Sequence, residues 1–106
     1  MDLAQLMVDS RRIAAEHGFV TEKANIPEKL MLIVSELAEA LEEYRKGIPV
    51  RDIYWTDKPE GFAVELADAV IRIAELAEAL QLPLITAIEM KQSANETRPF
   101  KHGKAF

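Results

Sequence analysis

The chain has 106 residues, with 13 Lys and Arg against 18 Asp and Glu, a net charge of −5, 49% hydrophobic residues and no cysteine. That length supports one domain with a small core and little surplus apolar burial, so self-association is expected. The acidic balance argues against broad nucleic-acid binding through phosphate contacts, and the lack of cysteine excludes disulfide frameworks, thiolate catalysis and cysteine-based zinc sites.

The N-terminal run MDLAQLMVDSRRIAAEHG mixes acid and base into its apolar pattern and does not read as a signal peptide. It reads as a first helix from about Asp2 to His17, with Leu3, Leu6, Met7, Ile13 and Ala14 at helical spacing and Gly18 suited to the position just past its end. A second helix is expected to open at Asn25-Ile26-Pro27-Glu28 and a third at Asp57-Lys58-Pro59-Glu60. Each places a capping side chain first, proline in the first turn and glutamate at the third position. Gly47 and Pro49 stop the second helix near Lys46, and the third fades at Gln81 before Pro83, which opens a shorter fourth helix to about Asn95. The loop from Gly47 to Thr56 is the longest and contains Trp55. No strand alternation of convincing length and no interdomain linker interrupts this pattern. The expected architecture is all-α: one domain over residues 1–106, a small antiparallel helical bundle of about four helices completed by oligomerisation, with a basic tail from about residue 97. No apolar run approaches the roughly 20 residues that span a bilayer, so a cytoplasmic protein without a membrane partner is expected.

On the second helix, at about 100° per residue, Leu30, Ile33, Val34, Leu37, Leu41 and Tyr44 fall on one stripe, read as core. Glu36, Glu39 and Glu43 cluster on roughly the opposite side, and on this helix alone that row reads as a solvated face. Glu42 points elsewhere and reads as solvated too. The third helix differs. Phe62, Leu66, Ala69, Ile73, Leu76 and Leu80 form its core stripe, and further apolar residues confine its polar groups to a narrow strip holding Glu65, Asp68, Arg72 and Glu75. Carboxylates placed where water is limited need a partner, and Arg72 is one for Asp68 through an i, i+4 pair. Glu36 with Glu39, and Glu65 with Asp68, are each three residues apart and share a face. If the two helices lie side by side, four carboxylates converge. Oxygen ligands without Cys or a nearby His suit Mg²⁺, or Mn²⁺, better than zinc. Mg²⁺ normally keeps positions for water and substrate phosphate, which implies a phosphate-bearing ligand.

An E-x-x-E followed by a spacer and an E-x-x-D, here Glu36, Glu39, Glu65 and Asp68, resembles the metal motif of the MazG-like all-α nucleoside triphosphate pyrophosphohydrolases. The resemblance covers most of the chain. It extends to the K-x-x-x-N-x-x-R pattern seen in Lys91, Asn95 and Arg98, and to the R-P-x-x-H-G-K run after it. The resemblance implies a Mg²⁺-dependent hydrolase that converts a nucleoside triphosphate, (d)NTP, into the monophosphate and pyrophosphate, working as a homodimer or homotetramer. Glu36, Glu39, Glu65 and Asp68 would hold the metal, and a metal lowers the pKa of water. Glu39, first, or Glu36 would act as the catalytic group that orients or deprotonates that water. Glu43, one turn past Glu39, could serve a second ion.

Lys91 and Asn95 are i and i+4, with Arg98 about a further turn along, so one face presents a cation, an amide and a guanidinium. Together with Lys104 they are the expected phosphate or sugar clamp, acting within one chain or across a subunit interface. A frayed basic tail is the alternative reading of the same residues. Trp55 is a candidate for stacking a base, or equally an anchor for its loop. His102 reads as a tail residue rather than a general base. Two rivals use the same residues: a phosphoribosyl-ATP pyrophosphohydrolase with a similar apparatus, and a non-catalytic helical interaction module whose acidic rows meet water or a basic partner. A redox di-metal carboxylate site ranks below these, because neither acidic motif contains the histidine such sites use.

Overall fold

The computed structural model describes residues 1–105, and of His102 the backbone alone. Four helices carry the chain: α1 (Leu3–Glu16), α2 (Ile26–Arg45), α3 (Phe62–Ala79) and α4 (Leu84–Glu96). Two-residue strands, β1 (Tyr54–Trp55) and β2 (Pro59–Glu60), pair antiparallel ahead of α3, with Tyr54 opposite Glu60. No described helix is long and apolar enough to cross a membrane.

Local chemistry explains most of the boundaries. Asp2 caps α1 by accepting a hydrogen bond from the Gln5 amide at 2.8 Å, and Gly18 follows its end at φ +84°, a conformation glycine adopts without strain. The expected cap of α2 is replaced. A 3-10 turn over Lys23–Asn25 leads into it, and the Asn25 side chain turns back to accept from the Glu22 amide and donate to the Val20 carbonyl, both at 2.8 Å. The expected start of α3 is also displaced. Pro59 and Glu60 lie in β2, and the helix opens one residue past Gly61, whose φ of +130° suits glycine alone. A Cβ at that position would stand 2.5 Å from the Asp52 carbonyl oxygen, so the hairpin and the 47–53 loop close on each other only through a glycine.

The chief packing is α2 on α3 and α1 on α3, with α3 central. Met7 of α1 packs with Ala74 and Ala77 of α3, and Leu3, Leu6 and Leu84 flank them. Leu84 ties in the first turn of α4, but no residue of that helix is buried. The radius of gyration, 16.2 Å, exceeds the roughly 13 Å of a compact chain this long. The all-α fold of four packed helices is as expected, with α4 contributing the least burial.

The face of α2 is corrected as well. Leu30, Val34, Leu37, Leu41 and Tyr44, expected in the core, keep between 48% and 61% of their surface exposed. The face buried against α3 is that of Glu36, Ala40 and Glu43, at i, i+4 and i+7. On α3, Leu66, Val70 and Ile73 likewise keep 39% to 49% exposed, while Ala69 and Leu76 are buried.

Candidate functional site

Glu36, Ala40 and Glu43 of α2 and Glu65 and Ala69 of α3 are buried where the two helices meet. Alanine removes the bulk that would hold the helix axes apart, so the acids on either side of it come within reach of one another. Oxygens of Glu36, Glu65 and Asp68 lie within 4.8 Å of each other. The Arg72 guanidinium donates from Nε to Glu36 Oε1 at 2.9 Å. The expected Asp68–Arg72 pair is thus replaced by an ion pair to the neighbouring helix. Even so, Oε2 of Glu36 and Oε2 of Glu65 are shielded from solvent and have no hydrogen-bond partner. Leaving such groups unpaired costs several kcal/mol when they are charged, a penalty that a cation or a retained proton would relieve.

The electrostatics follow from that crowding. Burial, joined by the crowding of the Glu39 and Glu36 carboxyls beside it, pushes the Glu65 carboxyl up to about 7. Asp68 is raised by burial and by the Glu36 charge, against the lowering pull of Arg72 and Lys58. Glu39 is exposed and sits at the rim beside Glu65, outside the tight group of three.

A second group shares Glu65. Oxygens of Glu43, Glu60 and Glu65 also lie within 4.8 Å of one another. The Tyr54 hydroxyl donates to both Glu43 oxygens, at 3.0 and 2.9 Å, and Lys46 adds a bond at 3.4 Å. Hydrogen bonding to Glu43 raises the Tyr54 pKa, and burial adds to it. Sequence reasoning missed Tyr54 and Glu60, since Pro59-Glu60 looked like a helix start. The signal lay in Gly61, which breaks that helix before it begins. Glu42, expected to face solvent, does so, with Arg45 at 3.5 Å.

Beside the acids, a cavity of about 530 Å³ runs between α1 and α3. Its polar lining takes Asp9 and Ser10 from α1, Glu36 from α2, and Asp68, Arg72 and Glu75 from α3. Glu75 is held firmly: Arg11 donates to Oε1 at 2.8 Å, and the buried Thr21 hydroxyl reaches both oxygens at 2.8 and 2.9 Å. Of this network, only Glu75 stood out in the sequence, as the last member of the polar strip on α3.

The remaining expected site residues are not gathered here. Trp55 is 72% exposed on the hairpin, so it neither lines the cavity nor anchors its loop in a core. Lys91 and Asn95 lie on α4, Arg98 and Lys104 beyond it, and none of them lines the cavity. Asn95 Oδ1 is shielded without a partner on its own chain among the described residues. His102, expected as a tail residue, lies outside the described side chains. Comparison of the chain with protein-family models, curated proteins and solved structures finds no match.

Proposed function

We propose that the protein is a Mg²⁺-dependent nucleoside triphosphate pyrophosphohydrolase of the MazG-like kind its acidic motifs resemble, hydrolysing (d)NTP to (d)NMP and pyrophosphate. The observation that carries this reading is the meeting of Glu36, Glu65 and Asp68 within 4.8 Å, with two buried carboxylate oxygens left unpaired. The donor set is oxygen alone, which fits Mg²⁺ or Mn²⁺. Glu36, Glu65 and Asp68 would hold the ion, with Glu39 at the rim. A divalent cation placed there supplies charge for the phosphoryl oxygens and makes water more acidic.

The protein's own groups then have distinct tasks. Glu39, exposed next to Glu65, accepts the proton of the attacking water as its oxygen bonds to phosphorus and the pyrophosphate oxygen leaves. Arg72 faces the cavity while paired to Glu36, so its remaining N–H groups are placed to meet phosphate oxygens. The active form is a homodimer or a homotetramer. Leu30, Val34, Leu37, Leu41 and Tyr44 alternate steps of four and three residues, the spacing of a helix-bundle seam, and Leu66, Val70 and Ile73 repeat it on α3. A second copy laying the same seam against this one completes a bundle that a single chain leaves open. On this reading Lys91, Asn95, Arg98 and Lys104 clamp phosphates across the interface, since no described residue of α4 is buried and none lines the cavity beside the acids.

A panel of ribo- and deoxyribonucleoside triphosphates and phosphoribosyl-ATP, assayed for pyrophosphate with and without Mg²⁺, tests the proposal. Metal-dependent release from a nucleoside triphosphate, lost in Glu36→Gln and Asp68→Asn, is expected. Release from phosphoribosyl-ATP alone would reassign the substrate, and none from any nucleotide would leave a binding module.

A further inference from the structure

Trp55 was the one residue whose sequence setting offered a surface for a base, and it projects into solvent on the hairpin. The cavity between α1 and α3 offers a different place. Its volume of about 530 Å³ falls in the usual range for small-molecule pockets, and Leu6, Ile13 and Ile71 make its walls apolar. Phe19 lines it too, 60% exposed, with the Lys29 ammonium 5.7 Å from its ring centroid. One cavity therefore joins an apolar, aromatic-lined space to Glu36, Asp68 and Arg72. A nucleotide has that same division, a flat weakly polar ring joined to a chain of phosphates.

The polar groups at the wall have a definite character. Glu75 is fixed by Arg11 and Thr21, yet carboxylate oxygens accept more than one hydrogen bond, so it can still receive an N–H from a ligand. Asp9 is a second carboxylate on the wall, half-buried, with Oδ1 accepting from Gln5 Nε2 at 2.9 Å and Oδ2 left for a ligand, and Ser10, itself buried, adds a hydroxyl. Two carboxylates and a hydroxyl make an acceptor-rich edge, which matches a base that presents an amino group and is a poor match for one that presents carbonyls alone at that position.

We propose that this cavity receives the nucleobase of the nucleotide, and that the Asp9, Ser10 and Glu75 edge favours bases carrying an exocyclic amine. The proposal rests on the nucleotide-hydrolase reading above and deepens it by naming where and by what chemistry the base is recognised.

The test is direct binding by isothermal titration calorimetry. The probes are dAMP, dCMP, dGMP and dTMP on one side and tripolyphosphate with Mn²⁺ on the other. Ala14→Leu places extra bulk in the cavity wall, and Ile13→Trp does the same from a half-exposed position that tolerates substitution, so at least one folded variant is available. The wild type is expected to bind at least one amino-bearing nucleotide several-fold more tightly than dTMP. Both variants should weaken that binding by about tenfold or more, the scale of a misfit in an apolar pocket. Their affinity for tripolyphosphate with Mn²⁺ should stay within about twofold, because the substituted residues lie on α1 while Glu36, Asp68 and Arg72 lie on α2 and α3. A folded variant with undiminished nucleotide affinity, or dTMP bound as well as the other three, would overturn the assignment while tripolyphosphate binding keeps the metal and phosphate reading. A wild type that binds neither nucleotides nor tripolyphosphate with Mn²⁺ would overturn both together.

Discussion

Glu65→Gln should stabilise the metal-free protein at pH 8 while abolishing its response to Mg²⁺. The folded chain holds the Glu65 carboxyl at about 7 against an ordinary 4.5, chiefly because it is buried and next because Glu39 and Glu36 crowd it. Below pH 4.5 the group is protonated folded and unfolded alike, and no penalty arises. Between 4.5 and about 7 the folded chain retains a proton that the unfolded chain releases, so stability falls as pH rises. Above about 7 the loss is complete. At about 1.4 kcal/mol per tenfold change in proton affinity, the ceiling is about 3.5 kcal/mol, and sharing of the proton with neighbouring carboxyls brings the expected figure to about 1–3 kcal/mol. Gln keeps the shape and removes the charge. For a domain of this size each kcal/mol is worth about 4–8 °C in Tm, so the variant should melt about 5 °C or more above wild type at pH 8 in EDTA, with little difference at pH 4.5. Mg²⁺ at 100 times its Kd would add about 2.7 kcal/mol to the wild type and almost nothing to the variant. Calorimetric melts at matched protein concentration decide the matter. A Glu65→Gln protein less stable than wild type at pH 8, or equally stabilised at both pH values, would refute the reasoning.

Other perturbations follow from single contacts. Leu37→Asp places a charge in the middle of the exposed α2 seam, and light scattering should show the mass falling from that of an oligomer to the 11.9 kDa of one chain; a wild type already of that mass would remove the seam argument. Arg72→Ala takes away the internal cation on Glu36 Oε1, so Mn²⁺ should bind several-fold more tightly while tripolyphosphate affinity with Mn²⁺ drops; unchanged values for both would show that the guanidinium competes with nothing. Gly61→Ala adds a Cβ 2.5 Å from the Asp52 carbonyl oxygen at a φ of +130°, and urea denaturation should register a loss of about 2 kcal/mol or more. Gly18→Ala, with nothing within 4 Å of its added Cβ, should lose less.

Elements governed by local chemistry are legible in the sequence, and those governed by a distant contact are not. Both ends of α1 can be placed from Asp2 and Gly18, because a cap and a left-handed glycine act within one turn. The start of α3 cannot, because Asp57-Lys58-Pro59-Glu60 satisfies every local rule for a helix start, while the hairpin that replaces it depends on Gly61 meeting Asp52 and on Tyr54 reaching Glu43. Spacing puts Glu36 with Glu39, and Glu65 with Asp68, on one face of each helix, but only the rotation of α2 against α3 brings Glu36, Glu65 and Asp68 together and leaves Glu39 at the rim. The rotation of α2 escapes sequence reasoning because the rule that an apolar stripe faces the core takes no account of the alanines that decide which face of α2 meets α3. Turning α2 to bury Val34 and the rest of that stripe against α3 is no longer open once Ala40 and Ala69 have brought the two helices together, as it would carry Glu36 and Glu43 out to solvent. The same rotation therefore exposes the seam and buries the acids. Closing the seam with a second copy would hold α2 in the orientation that forces like charges together, and a cation at Glu36, Glu65 and Asp68 would relieve the repulsion this creates. Metal binding and self-association are then linked, each stabilising the arrangement the other needs, and Mg²⁺ should tighten the oligomer of the wild type more than that of Glu65→Gln.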